Sequence, residues 1–136
     1  MGNSAYNRRL AQPRSEKAMT PEHRFMVAYL AASLKGGRTF THVHDHDAGR
    51  EIPVGGVVRP DVIDVIEGSG GVRFSGKPDM VMDHGAQSYI QLALEDGVFS
   101  GYDYASEKHF KGVFGDQGAV QLYDHETGRY HDFHVS

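Results

Sequence analysis

The sequence predicts a mainly β fold: an antiparallel meander of about five hairpins, closing as a small barrel or folding as a two-sheet sandwich, with one helix ahead of it. Three observations lead there. A unit recurs five times, aligned on an aspartate as HVHDHDAGR (Asp45), DVIDVIEGS (Asp64), MVMDHGAQS (Asp83), SGYDYASEK (Asp103) and QLYDHETGR (Asp124), with steps of 19, 19, 20 and 21 residues. Each copy opens near a glycine (Gly37, Gly56, Gly76, Gly97, Gly118), runs through an apolar or aromatic segment such as Met80-Val81-Met82 or Val120-Gln121-Leu122-Tyr123, and returns after a polar turn. The chain also carries 17 glycines in 136 residues, enough for a tight turn in every unit. Five units give nine or ten strands, and a sheet of that size hides its edges by closing or folding over.

Along the chain, residues 1–18 lack apolar periodicity and read as a basic tail, with the single β-rich domain spanning 19–136. Thr20-Pro21-Glu22-His23 supplies a helix start, since the Thr20 hydroxyl can accept an orphan N–H and Pro21 loses no hydrogen bond in the first turn. Phe25, Met26, Tyr29, Leu30 and Leu34 fall at helical spacing, and Gly36-Gly37 can end the element in a left-handed conformation. The expected helix covers about 20–35, with its apolar stripe packed over the sheet or plugging one end of it. The hairpin repeats then occupy about 38–136.

Composition restricts the chemistry. Without a cysteine, disulfides, thiolate metal sites and cysteine nucleophiles are excluded. Residues 1–38 hold seven Lys/Arg against Glu16 and Glu22, while residues 39–136 hold seven against sixteen Asp/Glu, so a basic arm precedes an acidic body. The clustered cations Arg8, Arg9, Arg14 and Lys17 lack interleaved aromatics, a thin footprint for nucleic acid, which is not the expected partner. The run Phe25–Leu34 with Ala31-Ala32-Ser33 behind it resembles a signal-peptide core, yet Glu16, Glu22 and Lys35 flank it, and no stretch reaches the length of a membrane span. The expectation is a cytoplasmic protein with no membrane contact, secretion being the minor alternative.

The repeated aspartates have a structural reading: a strand-terminal Asp caps its turn by accepting backbone N–H bonds, and five positions on stands a residue across the hairpin (Arg50, Ser69, Ser88, Lys108, Arg129) that can help fix register. Histidine is the residue type that resists such an account, with nine in the chain. His42, His44 and His46 alternate along a strand and would point to one face. Such a ladder suits a divalent transition metal, with Asp47 or Glu51 completing the shell. The string His44-Asp45-His46-Asp47-Ala48-Gly49-Arg50-Glu51 resembles the first metal motif of the cupin family, His-x-His followed by a Glu. Gly71, Pro78 and His84 follow in the order of that family's second motif, though its Pro-x-Gly-x-x-His core is absent. The resemblance implies a metal-dependent enzyme or sensor with His44, His46, Glu51 and His84 in the shell.

No nucleophile elbow surrounds Ser88, Ser100 or Ser106, and Gly68-Ser69-Gly70-Gly71 reads as a hairpin tip because a strand, not a helix, follows it. The leading function is therefore a non-enzymatic β-module without a cofactor, binding a partner protein or a small polar ligand; the metal-dependent enzyme is the alternative. His46, His84 and His125 each follow the aspartate of their copy, so in a closed meander these rings should gather on one rim with Asp45, Asp83, Asp103, Asp124 and Tyr104. An uncovered edge strand would offer a route to a homodimer.

Overall fold

In the computed structural model, which describes residues 18–124 and 128–136, a helix is followed by ten antiparallel strands that close into a barrel. The helix α1 spans Pro21–Gly36, and the strands are β1 His42–Asp45, β2 Arg50–Arg59, β3 Val62–Glu67, β4 Arg73–Lys77, β5 Met80–Asp83, β6 Ser88–Glu95, β7 Val98–Asp103, β8 Lys108–Phe114, β9 Ala119–Asp124 and β10 Arg129–Val135. Every strand pairs with its neighbour in sequence, and β1 pairs with β10 through Val43–Val135, His44–His134 and Asp45–Phe133. Of the two expected closures, barrel and two-sheet sandwich, the barrel is the one that forms. Closure leaves no open sheet edge among the described residues, so the edge-strand route to a homodimer has no strand to use.

The helix begins and ends where its local chemistry dictates. Thr20 is extended and its hydroxyl accepts the His23 N–H at 3.1 Å, Pro21 occupies the first turn, and Gly37 closes the far end at φ 69°. Its placement differs from the expected one-sided stripe. Phe25 through Ser33 are buried without a break, because α1 lies along the barrel axis and contacts β1 and β2 on one side and β6 on the other. A helix apolar on all sides needs walls on all sides, and the alanines at 28, 31 and 32 keep it slim enough to fit.

Strand alternation supplies those walls. Val43, Ile52, Val54, Val58, Ile63, Val65, Phe74, Val81, Ile90, Leu92, Phe99, Phe110, Val120, Leu122, Phe133 and Val135 point inward and join the helix in one core. Two inward positions on β7 and β8 are glycines, and each lies opposite a phenylalanine of the other strand: Gly101 faces Phe110, and Phe99 faces Gly112. A Cβ on Gly101 would sit 1.8 Å from the Gln91 carbonyl oxygen and 2.5 Å from the Phe110 ring. At both positions the ring of the facing phenylalanine occupies the space that a Cβ would take.

The β1–β2, β3–β4, β5–β6 and β7–β8 hairpin turns gather at one rim, and the N-terminus of α1 opens there. The other end holds the C-terminus of α1, where the buried Tyr29 hydroxyl donates to the Phe40 carbonyl and the Phe40 N–H donates to Ser33 Oγ at 3.3 Å. Burial pushes the Tyr29 phenol up to about 12. Among the described residues no helix is long and apolar enough to cross a membrane.

Gly101→Ala is expected to destabilise the barrel by about 1–3 kcal/mol through overpacking. Denaturant unfolding checks this; a midpoint unchanged from wild type would contradict the close approach of Phe110.

Candidate functional site

The rim is built from carboxylates that end strands. Asp45 Oδ1 accepts the N–H groups of Asp47 and Ala48 at 3.0 and 3.2 Å, Asp83 Oδ1 those of Gly85 and Ala86 at 2.8 and 3.1 Å, and Asp103 Oδ1 that of Ala105 at 3.4 Å. In the second hairpin this place belongs to Glu67, which accepts from the N–H and hydroxyl of Ser69 and from the Gly70 N–H at 2.8 Å. The sequence alignment of that copy on Asp64 is therefore displaced: Asp64 lies outward in mid-strand, paired with Arg73 at 3.0 Å, which holds its carboxyl below its ordinary value. Four of the five residues expected across the turns stand there, as Asp45–Arg50, Asp83–Ser88, Asp103–Lys108 and Asp124–Arg129, whereas Ser69 lies within its turn and Asp64 pairs with Ser75. The carboxylates of Asp45, Asp83 and Asp103, however, are turned to their own turns and to the interior, while Arg50 donates to Ser69 Oγ at 3.1 Å.

Asp45, Glu67, Asp83 and Asp103 are all buried, and the N-terminal turn of α1 brings them a partner that the repeat pattern did not single out. His23, 2% exposed, donates from Nδ1 to Asp103 Oδ1 at 2.8 Å and from Nε2 to Asp83 Oδ2 at 2.6 Å. Ser106 Oγ donates to the other Asp103 oxygen at 2.7 Å, and the Phe74 ring meets the imidazole edge-on at 6.0 Å. With a carboxylate at each nitrogen, the ring satisfies both only as imidazolium. Burial by itself would lower the His23 pKa, but the hydrogen bonds and charges of Asp103 and Asp83 outweigh it and hold it above 6.5. Burial would likewise raise the Asp103 carboxyl, and the bonds from His23 and Ser106 hold it below 3.8. A second inward histidine, His131 on β10, bonds Asp47 of the first turn. The signal for His23 was in the sequence only as the third residue of a helix start.

Beside His23 lies a cavity of about 200 Å³, walled by Val72, Phe74, Ala86 and Ala105, with Glu67, Asp83 and His23 at its base. On the outer wall a cleft of about 520 Å³ is lined by His46, Val113, Phe114, Gln121, Asp132 and Phe133, among others.

The residues after the aspartates go the other way. A strand that turns Asp45 or Asp83 inward turns its neighbours outward, so His46, His84 and Tyr104 are exposed and do not join the carboxylates in one site. His84 bonds Ser75 Oγ at 2.7 Å on β4, with the β3–β4 hairpin between it and His46. His125 lies outside the described residues, as does the side chain of Asp124. Of the proposed metal shell, His44 stands opposite Glu51 in the ladder and its ring meets that of His46 at 4.7 Å, but His84 is not among them. No group of three or more His, Asp or Glu among the described residues is arranged to hold a metal ion.

The outer wall also carries a band of rings. Tyr102 packs edge-on against Tyr104 and His109 at 4.8 and 4.7 Å, Tyr123 against Tyr130 at 5.3 Å, and Lys111 Nζ sits 5.5 Å from the Tyr123 ring. Tyr89 extends the band onto β6, where its carbonyl accepts the Tyr104 N–H at 3.1 Å. Comparison with protein-family models, with curated proteins and with solved structures finds no match for this chain.

Linkage fixes the pH dependence. A base held above 6.5 contributes stability that is complete below 6.5 and is lost as pH climbs through its folded value; an acid held below 3.8 contributes above 3.8 and loses it as pH falls through its folded value. Both contributions coexist between 3.8 and 6.5. Thermal melts of the wild type are expected to fall on the alkaline side of this window, and Asp103→Ala, which removes one partner of a buried pair, is expected to cost about 3–5 kcal/mol at pH 6. A melting temperature of Asp103→Ala within a degree of wild type at pH 6 would remove the ion pair from the account.

Proposed function

We propose that this protein is a non-enzymatic binding module that engages a partner protein through the outer wall of β6–β10. The observation that carries this reading is the band of Tyr89, Tyr102, Tyr104, His109, Tyr123 and Tyr130 facing outward from five consecutive strands, with Tyr89, Tyr104 and Tyr130 38%, 44% and 46% exposed. Tyrosine gives a large contact area at low entropic cost and keeps a polar tip for hydrogen bonding, which is why it is enriched where interfaces concentrate their energy. The edge-on pairs within the band hold the rings in place before any partner arrives. The lumen supports the same reading from the inside: α1 occupies it, leaving the outer surface and the rim for recognition.

The cleft beside the band favours a second reading, a small polar ligand held by the Gln121 amide and the Asp132 carboxylate, which bond each other at 3.0 Å. Its volume lies within the usual range of ligand sites, about 300–1,000 Å³.

The test compares a wall variant, Tyr102→Ala/Tyr104→Ala/Tyr130→Ala, with a control on the opposite wall, Val62→Ser/Ile66→Ser, in cross-linking mass spectrometry from native extract followed by reconstitution with the purified candidate. The wall variant is expected to keep the far-ultraviolet spectrum and lose at least tenfold in affinity for the reconstituted partner, while the control binds as wild type. Equal binding by both variants would contradict the assignment of this wall.

A further inference from the structure

The geometry points to α1 acting as a plug whose N-terminal turn is latched to the rim by protonated His23 and is released when that ring loses its proton, opening the rim cavity toward the lumen. The groups facing His23 define how this works. Asp83 comes from the end of β5 and Asp103 from the end of β7, 2.6 and 2.8 Å from the two ring nitrogens. Ser106 of the β7–β8 turn is committed to Asp103, and Phe74 of β4 offers only a ring edge. Glu67, at the end of β3, lines the same cavity, and Glu22 lies next to His23 on α1 itself. Of the neighbouring cations, Arg24 on α1 donates to the Met19 carbonyl at 2.6 Å, and Lys108 stands opposite Asp103 in the β7–β8 ladder.

That arrangement makes the latch one-sided. A neutral imidazole has one N–H, so it can donate to Asp83 or to Asp103 but not both, and its other nitrogen then presents a lone pair to a carboxylate. Asp83 and Asp103 then lose the full positive charge that the imidazolium placed between them, at positions that burial shields from water. The held pKa of His23 places this change on the alkaline side of 6.5. The cavity of about 200 Å³ beside the ring gives water a path to the proton and the first turn room to move.

The opposite end of α1 has different fastenings. The Tyr29 hydroxyl to the Phe40 carbonyl, the Phe40 N–H to Ser33 Oγ, and the Gly37 N–H to the Leu34 carbonyl at 3.3 Å involve no group that titrates near neutrality. Deprotonation therefore frees one end of the helix and leaves the other fixed. The released turn would uncover Phe25 and Met26, which are 1% and 0% exposed when latched.

Amide hydrogen exchange on the full chain between pH 5.5 and 9, expressed as protection factors, tests the device. For Arg24 to Val27, protection is expected to be level below pH 6.5, to fall by up to about tenfold per pH unit between 6.5 and the higher value that His23 holds when latched, and to level off above it, one proton being linked to opening. Protection at Ser33 and Leu34 should fall less. In His23→Gln the slope at Arg24–Val27 should vanish. A parallel nitrogen-15 titration of the wild-type His23 ring should show both nitrogens protonated at pH 6 and a midpoint at the pH where protection stops falling. Level protection across the range in the wild type would overturn the latch. So would equal losses at both ends of α1, which would mean the whole protein opens, or an imidazole already carrying a single proton at pH 6.

Discussion

A closed barrel of ten strands encloses more space than its own inward side chains fill, and that constraint organises this molecule. Barrels of about eight strands have interiors just wide enough for side chains to fill. Here the lumen takes a whole helix, α1, whose residues from Phe25 to Ser33 are buried on every side. The demand runs both ways. The helix must be narrow and apolar all round, which its alanines and capped ends allow, and the wall must supply small residues where large ones cross, which Gly101 and Gly112 do opposite Phe110 and Phe99. Helix and sheet are thus one core rather than a barrel with a lid.

From this follows the polar character of the rim. A helix inside a barrel brings its N-terminus, with unpaired N–H groups and partial positive charge, to the ring of hairpin turns. Four of those turns are capped by a strand-terminal acid, Asp45, Glu67, Asp83 or Asp103, that alternation points inward. His23 sits where the two meet, and its two hydrogen bonds join α1 to β5 and β7, elements 60 and 80 residues away. Alternation also explains why the neighbours of those acids face solvent: the step that buries Asp83 exposes His84, and the step that buries Asp103 exposes Tyr104. One repeat thus builds an acidic inner ring, and an outer wall of phenols and imidazoles beside it.

Much of this was legible in the chain. The repeat, its turn glycines and the Asp-capped hairpins follow from short-range rules, and the cross-turn positions fall into register as their spacing implies. The Thr20-Pro21 start and Gly37 stop of the helix are local too. What escaped the sequence was long-range. Barrel and sandwich share every hairpin and differ only in whether β1 meets β10. The second repeat is ambiguous in the sequence because DVIDVIEGS holds three acids at three-residue spacing, Asp61, Asp64 and Glu67, and only the turn N–H groups select Glu67 over Asp64. His23 carries no motif; its role appears when strands from two distant repeats close around it. The His-x-His-x₄-Glu string brings His44, His46 and Glu51 to one outer patch through ordinary hairpin pairing, so its spacing reflects the hairpin before it reflects any metal.

The claim on which the rest stands is that α1 runs through the lumen. Nuclear Overhauser contacts from the methyl groups of Met26, Val27 and Leu30 decide it, because β1 and β6 lie on opposite sides of the ten-strand ring. The account predicts contacts from these helix methyls both to Val43 and Ile52 on β1 and β2 and to Ile90 and Leu92 on β6. Contacts confined to one of the two walls would place the helix across the outside or over one end, and would contradict it.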